Sequence, residues 1–347
     1  MQIKIFSKIE DFLLIKDDWD RLFAIGNYSV FQEFSFNYLS WKHELINDKR
    51  NQLAITAIIV DNDISSIFPF YLDSKKNLRF INDRHFDFCD CISKDSFNFL
   101  EVYNYLRNEI SFKSMRLINI KKEAFIYKVV DEASVKNKVF LPISEYSELD
   151  VDKGDFPYNV PHYRSHQKHR INKAIRKNLL KDSMILTKKN NHHFPMQDIL
   201  MLKNKMIHSG IRKKNFLNNN RLLLIEGLYN EGIVCLHVMK GDEGFNSVNV
   251  LLKGTSNGFM FWIDIFDEKQ MINLSSYCNV IKYFSSLESI NVNFGRGRYF
   301  YKESNFAPEF YTLYQVLLFS NRFQKISFFV ADKLMKKLMS VYKIIKK

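Results

Sequence analysis

An aspartate inside an aromatic, strand-like segment is the first candidate for proton chemistry. Asp264 lies in the sequence FMFWIDIFD, residues 259–267. Burial among aromatic rings raises the pKa of a carboxyl group, as a general base working near neutral pH requires. Strand alternation places Asp264 on the same face as Trp262 and Phe266, so this face is not plainly exposed to solvent. We therefore predict that Asp264 is a catalytic base, and a solvated surface carboxylate is the alternative.

The sequence GRGR at residues 295–298 predicts a tight turn at the end of a strand, because glycine allows backbone conformations that other residues disfavour. Arg296 and Arg298 would then project near a cleft, where a guanidinium group can hold a phosphate or carboxylate through two hydrogen bonds. Tyr301 and Lys302 follow closely and would add a hydroxyl group and an ammonium group. The alternative is a simple turn with solvated arginines.

Two aspartates in the first half could recognise a positively charged substrate. Asp87 and Asp90 lie in the loop sequence HFDFCDC, after a strand-like segment. Paired carboxylates could orient an amino-sugar or attract an ammonium group. The alternative is that they only stabilise the loop by bonding to nearby backbone N–H groups.

A strongly basic helix is predicted from Arg164 to Lys181, which holds seven lysines and arginines and no acidic residue. Apolar residues recur on one stripe of this helix, so one buried and one solvated face is the ordinary interpretation. A face that binds phosphate groups is the functional alternative. His162, Tyr163 and Arg164 stand at the start of this helix and are the candidates nearest to a cleft.

Both halves of the chain run from helices through antiparallel strands to a helix and a strand, which predicts an α+β fold. Residues 125–130 (FIYKVV) are predicted as a strand, and residues 142–161 are predicted as a linker because proline and glycine interrupt any period. We predict one domain over residues 1–150, a second, catalytic domain over residues 151–320, and a C-terminal helix over residues 321–347.

The net charge of +13 is confined to the second half. Residues 1–150 hold 20 basic and 23 acidic side chains, a balance of −3, and the remainder holds 31 basic and 15 acidic side chains, a balance of +16. A basic surface attracts nucleic acid, anionic lipid or a phosphorylated cofactor, and charge alone does not choose among them. The four cysteines form no CxxC pair, so no metal site is predicted.

Several segments resemble the CelD-type acetyltransferases, a branch of the GNAT superfamily that is related in architecture to the FemAB peptidoglycan aminoacyltransferases. The resemblance extends roughly from Trp19 to Phe319. In the order of the chain, the segments that carry it are SVFQEFSFNYLSWKHEL, IIVDNDISSIFPFYL, RFINDRHFDFCDCI, SHQKHRINKAIRKNLL and INVNFGRGRYFYKESNF. The resemblance implies two fused GNAT-like domains, each a mixed, mostly antiparallel sheet flanked by helices.

The resemblance also implies acetyl-CoA or another acyl-CoA as the acyl donor. GNAT enzymes generally seat the CoA pyrophosphate on backbone N–H groups at the start of a helix, where the helix dipole favours negative charge. The family's Ser-Pro-Gly turn before this helix is replaced here by Ser275-Ser276-Tyr277, with Asn279 one turn on. These residues and Arg296 are the predicted cofactor contacts.

For the reaction, the resemblance implies acyl transfer to an amine. Tyr301 would supply a hydroxyl group to the leaving sulfur, and Lys302 would pair with an acidic ligand. Asn293 stands where the family has an aspartate. The predicted substrate-binding residues are Asp87, Asp90, His162, Tyr163, Arg164, Asn293 and Arg298.

The function implied by this resemblance is N-acylation of an amino-sugar or related amine in the synthesis of cell-surface polysaccharide or envelope. A FemAB-like aminoacyltransferase that uses charged tRNA and a non-catalytic GNAT-like scaffold are the alternatives. No aromatic-rich nucleic-acid motif is present, so no specific nucleic-acid partner is predicted. The expected partner is a small or glycan-precursor amine.

Finally, the C-terminal sequence predicts either contact with a membrane surface or docking on the protein itself. Leu334, Leu338, Val341 and Ile345 form a stripe opposed by lysines, the pattern of a helix lying on anionic lipid. No apolar run reaches the roughly 18 residues needed to span a bilayer, and no signal peptide is evident. We therefore predict a cytoplasmic protein whose residues 325–347 contact the inner membrane.

Overall fold

The computed structural model describes residues 1–81, 83–177, 183–241, 244–254, 257–267, 272–331 and 333. The chain divides into two compact units. The first comprises Met1–Gly26, Asp48–Ile143 and Leu313–Lys347, and the second comprises Asn27–Asn47 and Ser144–Thr312. Among the described residues, no helix is both long enough and apolar enough to cross a membrane.

Among its described residues, the first unit contains two sheet regions and several helices. Its strands are β1 (Gln2–Phe6), β2 (Gln52–Leu53), β3 (Ile55–Val60), β4 (Asp63–Phe68), β5 (Phe70–Leu72), β6 (Asn77–Phe80), β7 (Ile92–Ser93) and β8 (Ser114–Lys121). Its helices are α1 (Ile9–Leu14), α2 (Lys16–Ile25), α4 (Phe99–Glu109) and α5 (Phe125–Glu132). Two further strands are shared with the second unit: β9 (Lys138–Val151) begins in the first unit, and β15 (Glu309–Phe319) ends there.

Strand pairing in the first unit follows the local sequence. Strands β1, β3, β4 and β7 form an antiparallel sheet, and the end of β15 pairs with β8, which is followed in order by β6, β5 and β2. Asp61 and Asn62 connect β3 to β4 and adopt the left-handed conformation that a two-residue hairpin loop requires. Helix α4 joins the parallel strands β6 and β8.

Two sequence predictions are wrong here. Residues 125–130 belong to helix α5 rather than to a strand, since burial of Ile126, Val129 and Val130 on one helical face outweighs their β propensity. The predicted linker is also partly a strand, because β9 extends to Val151. Pro142 is exposed and precedes the residues of β9 that pair with the strand Ile290–Arg296, so its missing N–H group costs no bond in that pairing.

The second unit holds the remaining elements. Its strands are β10 (Ser183–Leu186), β11 (Val234–Gly241), β12 (Gly244–Lys253), β13 (Gly258–Phe266) and β14 (Ile290–Arg296), with the shared strands at one side. Its helices are α3 (Phe34–Ser40), α6 (Ser165–Lys177), α7 (Met196–His208), α8 (Asn219–Asn230), α9 (Asn273–Leu287) and α10 (Phe300–Phe306). A 3-10 turn (Val30–Gln32) and a π-helical turn (Trp41–Leu45) flank α3.

The second unit's sheet has the strand order β10-β11-β12-β13-β14-β9. All neighbours are antiparallel except β13 and β14, which are parallel and joined by α9. This parallel pairing covers only Gly258 to Met260, opposite Asn291 to Asn293. The two strands have no further paired residues among those described, so they separate as they run toward Asp264 and Gly295.

A buried ion pair fixes the 27–47 segment within the second unit. Arg221 of α8 donates two hydrogen bonds to Glu44, at 2.6 and 3.0 Å, and both side chains are almost fully buried. Trp262 packs edge-on against Phe31 and Phe36 of the same segment. Residues 34–45 of this segment are helical, and Trp262 connects the segment to strand β13.

The predicted domain limits at residues 150 and 320 stay a prediction. Of the C-terminal segment, residues 322–331 are helical. The stripe from Leu334 to Ile345 lies outside the described residues.

Candidate functional site

A row of polar side chains crosses three neighbouring strands of the second unit. His237 on β11 lies opposite Asn249 on β12, and Asn249 lies opposite Asp264 on β13. The Asn249 side-chain amide donates a 2.9 Å hydrogen bond to Asp264. These strands are otherwise mostly apolar, so the row places polar side chains inside the interface between the sheet and the helices.

Asp264 is the centre of this row. Its second carboxylate oxygen accepts a hydrogen bond from the hydroxyl group of Tyr277 on α9. Burial raises the pKa of Asp264 above its ordinary value, and the hydrogen bonds from Tyr277 and Asn249 lower it in part. The charges of Lys302 and Arg212 act in the same lowering direction. The side chain keeps some exposure to solvent.

Tyr301 extends this arrangement toward the surface. Its hydroxyl oxygen lies 3.3 Å from that of Tyr277, which in turn is bonded to Asp264. Burial and the nearby charge of Asp264 raise the pKa of Tyr301, so its hydroxyl group stays protonated at neutral pH. The structure thus brings together three of the residues predicted from sequence: Asp264, Tyr277 and Tyr301.

A β-bulge in β13 determines which of its side chains face helix α9. The register between β12 and β13 passes from Val250–Ile263 to Leu251–Phe261 and skips Trp262. Phe261 and Asp264 consequently both contact Tyr277, whereas Trp262 contacts the 27–47 segment. The predicted strand alternation, which placed Asp264 and Trp262 on one face, is therefore wrong at this point.

Aromatic rings fill the space beside the separating strands. Phe261 on β13 and Phe294 on β14 stack with their centroids 5.8 Å apart. Tyr277 lies 4.1 Å from Phe261, and Phe306 of α10 lies 4.9 Å from Phe294, again between ring centroids. Helices α9 and α10 therefore meet through packed rings over the point where β13 and β14 diverge.

Lys302 stabilises the glycine-containing turn from inside. Its ammonium group donates to the carbonyl oxygens of Gly295, Arg296 and Gly297, at 3.1, 3.2 and 3.0 Å. Gly295 and Gly297 both have positive φ angles, as the sequence predicted for a tight turn. A buried ammonium group needs such partners, so this geometry gives Lys302 a positioning role in the turn.

Asn293 also supports this turn. Its side-chain oxygen accepts a 2.8 Å hydrogen bond from the N–H of Gly295, and its side-chain NH₂ donates at 2.9 Å to Glu148 on β9. An aspartate could make the first bond but not the second. The asparagine at this position is therefore explained by its acidic neighbour.

The two arginines of the turn differ in environment. Arg298 is exposed and pairs with Glu303 at 2.6 Å and Glu145 at 3.5 Å. Arg296 is half-buried at the end of β14, and its carbonyl oxygen is bonded by Lys302. Arg212, which sequence reasoning missed, is exposed, and its charge acts on both Asp264 and Tyr301.

The other predicted cofactor contacts lie on α9 but serve different neighbours. Ser275 donates a 2.7 Å hydrogen bond to the carbonyl oxygen of Ala174 on α6. Ser276 donates to the side-chain oxygen of Asn249 and so joins the polar row. Asn279 is half-buried, with its amide nitrogen 4.0 Å from the sulfur of Met239.

Of the residues before α6, one is a core residue. Tyr163 is buried in the apolar cluster of the second unit, and burial raises its pKa well above the usual range. His162 is exposed, with a ring nitrogen 3.2 Å from the carbonyl oxygen of Ala307. Arg164 is exposed, and its backbone N–H donates to Gln167 in the first turn of α6.

Asp87 and Asp90 belong to the first unit. Asp90 accepts 2.8 Å hydrogen bonds from the N–H groups of Phe125 and Ile126, at the start of α5, and a third from Cys91. Burial nevertheless raises its pKa to about 6. This is the loop-stabilising alternative that the sequence left open. Asp87 is buried nearby in the same loop.

Several members of the polar row were not predicted. His237 and Asn249 each interrupt an apolar strand, as does Ser247, which donates a 3.0 Å hydrogen bond to Ser276. These interruptions are the signal that sequence reasoning passed over. In the first unit it also missed Asp83, which is fully buried and receives two 2.9 Å hydrogen bonds from Arg79. Within the described ranges, no three histidine, cysteine or acidic side chains are grouped as metal ligands would be.

No protein-family model matches the sequence, and comparison with curated proteins finds no match. Solved structures do match. The C-terminal domain of a putative lysylphosphatidylglycerol synthetase from Agrobacterium fabrum has a TM-score of 0.59 at 8% identity, covering 94% of this chain and 97% of that chain. L-PGS from Bacillus licheniformis has a TM-score of 0.57 at 12% identity, covering 91% and 92%. FemX has a TM-score of 0.55 at 8% identity, covering 91% and 97%.

Identities this low show the fold alone. The fold is α+β with two fused GNAT-like halves, and this prediction is confirmed. The FemAB-like tandem architecture is likewise supported, whereas the CelD-type branch stays a prediction.

The contact between Asn293 and Glu148 gives a stability test. N293D places two carboxyl groups within hydrogen-bond distance, so it should destabilise the protein by about 2 kcal/mol near pH 7.5. Because repulsion raises the folded-state pKa of the pair above its unfolded value, the deficit should shrink as the pH falls toward about 4.5. Urea unfolding of both proteins at the two pH values measures this difference.

The matched control is N291D, two residues earlier on the same strand. Asn291 donates a 2.8 Å hydrogen bond to Asp150, but this pair is exposed. Solvent screening should keep its cost below about 1 kcal/mol. Equal losses for both variants would contradict the role given to Asn293.

Proposed function

We propose that the second unit transfers an acyl group to an amine that binds beside Tyr301 and Asp264. The observation that carries the proposal is the hydrogen-bonded series from Tyr301 through Tyr277 to Asp264. It links a half-buried hydroxyl group to a carboxyl group whose pKa burial has raised. A base with a raised pKa is suited to proton transfer near neutral pH.

In the proposed reaction, the amine nitrogen attacks the carbonyl carbon of an activated acyl donor. The new N–C bond forms as the bond to the leaving oxygen or sulfur breaks. The proton lost by the amine moves to Asp264, either directly or through the hydroxyl groups of Tyr301 and Tyr277. Tyr301 supplies a proton to the leaving atom and regains one along the same series.

Two donor classes are proposed, and the aromatic packing bears on the choice between them. An acyl-CoA, which the family resemblance implies, would place its pantetheine arm beside the diverging strands β13 and β14. Rings of Phe261, Phe294 and Phe306 occupy this space. This packing favours the second class, an aminoacyl ester of tRNA, whose acceptor end needs only to reach Tyr301.

The basic face of α6 supports an aminoacyl-tRNA donor. Lys168, His169, Lys173 and Arg176 border an open groove of about 780 Å³ together with Tyr158. Tyr158 is 58% exposed and accepts a 2.8 Å hydrogen bond from Asn172. A positive groove edged by an aromatic ring suits a nucleic-acid backbone and a stacked base.

The matched structures are compatible with the tRNA class. One of them is named as a domain of a putative lysylphosphatidylglycerol synthetase, an enzyme whose product carries a lysyl group. The acceptor proposed for the present chain is a small amine. An amino-sugar or other envelope precursor follows only from the family resemblance.

Removing the proton pathway should abolish transfer without unfolding the protein. D264N and Y301F should each lower the transfer rate about 100-fold or more, since a positioned acid or base contributes about 10²–10⁴. The rate is measured as the transfer of a labelled acyl group from acetyl-CoA or aminoacyl-tRNA to ethanolamine supplied in excess. Thermal unfolding checks the fold. D267N is the matched control, because Asp267 pairs with Lys205 instead. Full activity of D264N would reject Asp264 as the base.

The donor class can be decided by binding. We expect filter binding to retain charged tRNA, with the α6 double variant K168E/K173E weakening it about tenfold or more. Acetyl-CoA at millimolar concentration should leave the melting temperature unchanged, whereas a ligand at 100 times its Kd would stabilise by about 2.7 kcal/mol. Stabilisation by acetyl-CoA without tRNA binding would select the CoA donor.

We also propose that the C-terminal segment contacts an anionic membrane. In the described helical residues 322–331, Phe323, Ile326 and Val330 recur on one face and are 78%, 54% and 53% exposed. Basic residues flank this face and continue along the sequence to Lys347. An exposed apolar face with basic neighbours suits the surface of an anionic bilayer.

Vesicle sedimentation tests this membrane contact. The full chain should pellet with vesicles of phosphatidylglycerol and phosphatidylcholine but not with phosphatidylcholine alone. F323S/I326S should reduce pelleting several-fold, since each exposed apolar side chain contributes to insertion. L13S/L14S changes two exposed leucines elsewhere and serves as the control. Undiminished pelleting of the F323S/I326S variant would reject the proposal.

A further inference from the structure

The second unit contains a cavity that the proposed reaction does not use. It has a volume of about 540 Å³, within the range of small-molecule sites. Strands β10 and β11 form one side, and the later turns of α9 form the other. The lining is mainly apolar and includes Ile185, Val234, Phe259 and Phe284.

Positive charge gathers at the rim of this cavity. Lys188, Lys189 and Lys253 all line it and are exposed. Glu288 is the acidic side chain among the described lining residues. The rim therefore favours an anionic group, while the interior favours an apolar one.

A buried histidine lines the interior of the cavity. His237 is 3% exposed, and its Nδ1 lies 3.1 Å from the hydroxyl oxygen of Ser276 and 3.3 Å from the side-chain oxygen of Asn249. Ser276 already donates to Asn249, so both neighbours of Nδ1 are best placed as acceptors. Nδ1 consequently carries the proton.

The other ring nitrogen of His237 is left with a lone pair. Burial lowers the pKa of His237 to about 4, so the ring is neutral at pH 7. Among the described residues, Nε2 has no hydrogen-bond partner, and His237 itself borders the cavity. A ligand or water in the cavity can therefore donate a hydrogen bond to this lone pair.

We infer that this cavity binds an amphipathic small molecule with three features. One is an anionic group, such as a carboxylate, sulfonate or phosphate, that meets the lysines of the rim. The second is an apolar body that fills the space beside Phe259 and Phe284. The third is a hydroxyl, amide or amine N–H group that donates to Nε2 of His237.

This inference does not rest on the proposed acyl transfer. The cavity and Asp264 are nevertheless connected, since His237, Ser276, Asn249 and Asp264 form one hydrogen-bonded series. The two ends of that series can be altered separately. An experiment can therefore distinguish failure of the cavity site from failure of the reaction.

The probe for the test is 8-anilinonaphthalene-1-sulfonate, which combines a sulfonate, aromatic rings and an anilino N–H group. Fluorescence titration of the full chain should show one saturable site per molecule. K188E/K189E should weaken binding about tenfold or more, which corresponds to about 1.4 kcal/mol. K168E/K173E makes the same charge change on α6 and should leave binding within about twofold, because screening limits long-range attraction.

H237F tests the contact with His237, because it keeps an aromatic ring but removes the acceptor nitrogen. It should weaken binding of the probe about fivefold or more. If this variant does not fold, the exposed lysine variants decide the result alone. Binding should persist in D264N and Y301F, which affect only the proposed reaction. The inference is overturned if the chain shows no saturable site, or if the α6 and rim variants weaken binding equally.

Discussion

The carboxyl group of Asp264 lies at a sheet–helix interface whose other members are mostly aromatic, and a carboxyl group placed there must find partners or hold a proton. Both of its oxygens are bonded, one by Asn249 and one by Tyr277. The need to hydrogen-bond both oxygens of this carboxyl group determines which residues surround it. The bulge at Trp262 turns Asp264 toward α9, and Tyr277 must stand within reach on that helix. Tyr301 then meets Tyr277, which ties the turn after β14 to the same point.

Much of the fold could be predicted from sequence because its signals are local. The order of helices and antiparallel strands predicted the α+β class, and Gly295 and Gly297 predicted the tight turn after β14. The failures at α5 and β9 have a common cause. Residues 125–130 suit a strand by composition, and their helical state depends on Asp90 bonding to the first N–H groups of α5. Pro142 suggested a break, but it precedes the residues of β9 that pair with β14, so its missing N–H group costs no bond in that ladder. Both outcomes depend on residues distant in the chain.

The candidate site was predictable only where one segment carried the signal. Asp264 stood out because aromatic residues surround it, and Tyr301 because it follows a glycine-containing turn. The contribution of Asn249 depends on the register of three strands, which a single sequence does not specify. The environment of Lys302 was equally hidden. Its charge suggested a ligand contact, whereas the tertiary structure directs it at three carbonyl oxygens of its own turn.

The division of the chain into interleaved segments has a consequence for synthesis on the ribosome. Strand β8 of the first unit pairs with residues Leu313 to Phe319 of β15. These residues emerge only after the 144–312 segment has been made. An N-terminal domain usually folds before the next one is synthesised. The first unit of this protein cannot do so completely, because its sheet lacks residues 313–319 until the 144–312 segment has been made. Until residues 313–319 have been synthesised, one edge of β8 lacks its native neighbour and is open to pairing with another strand.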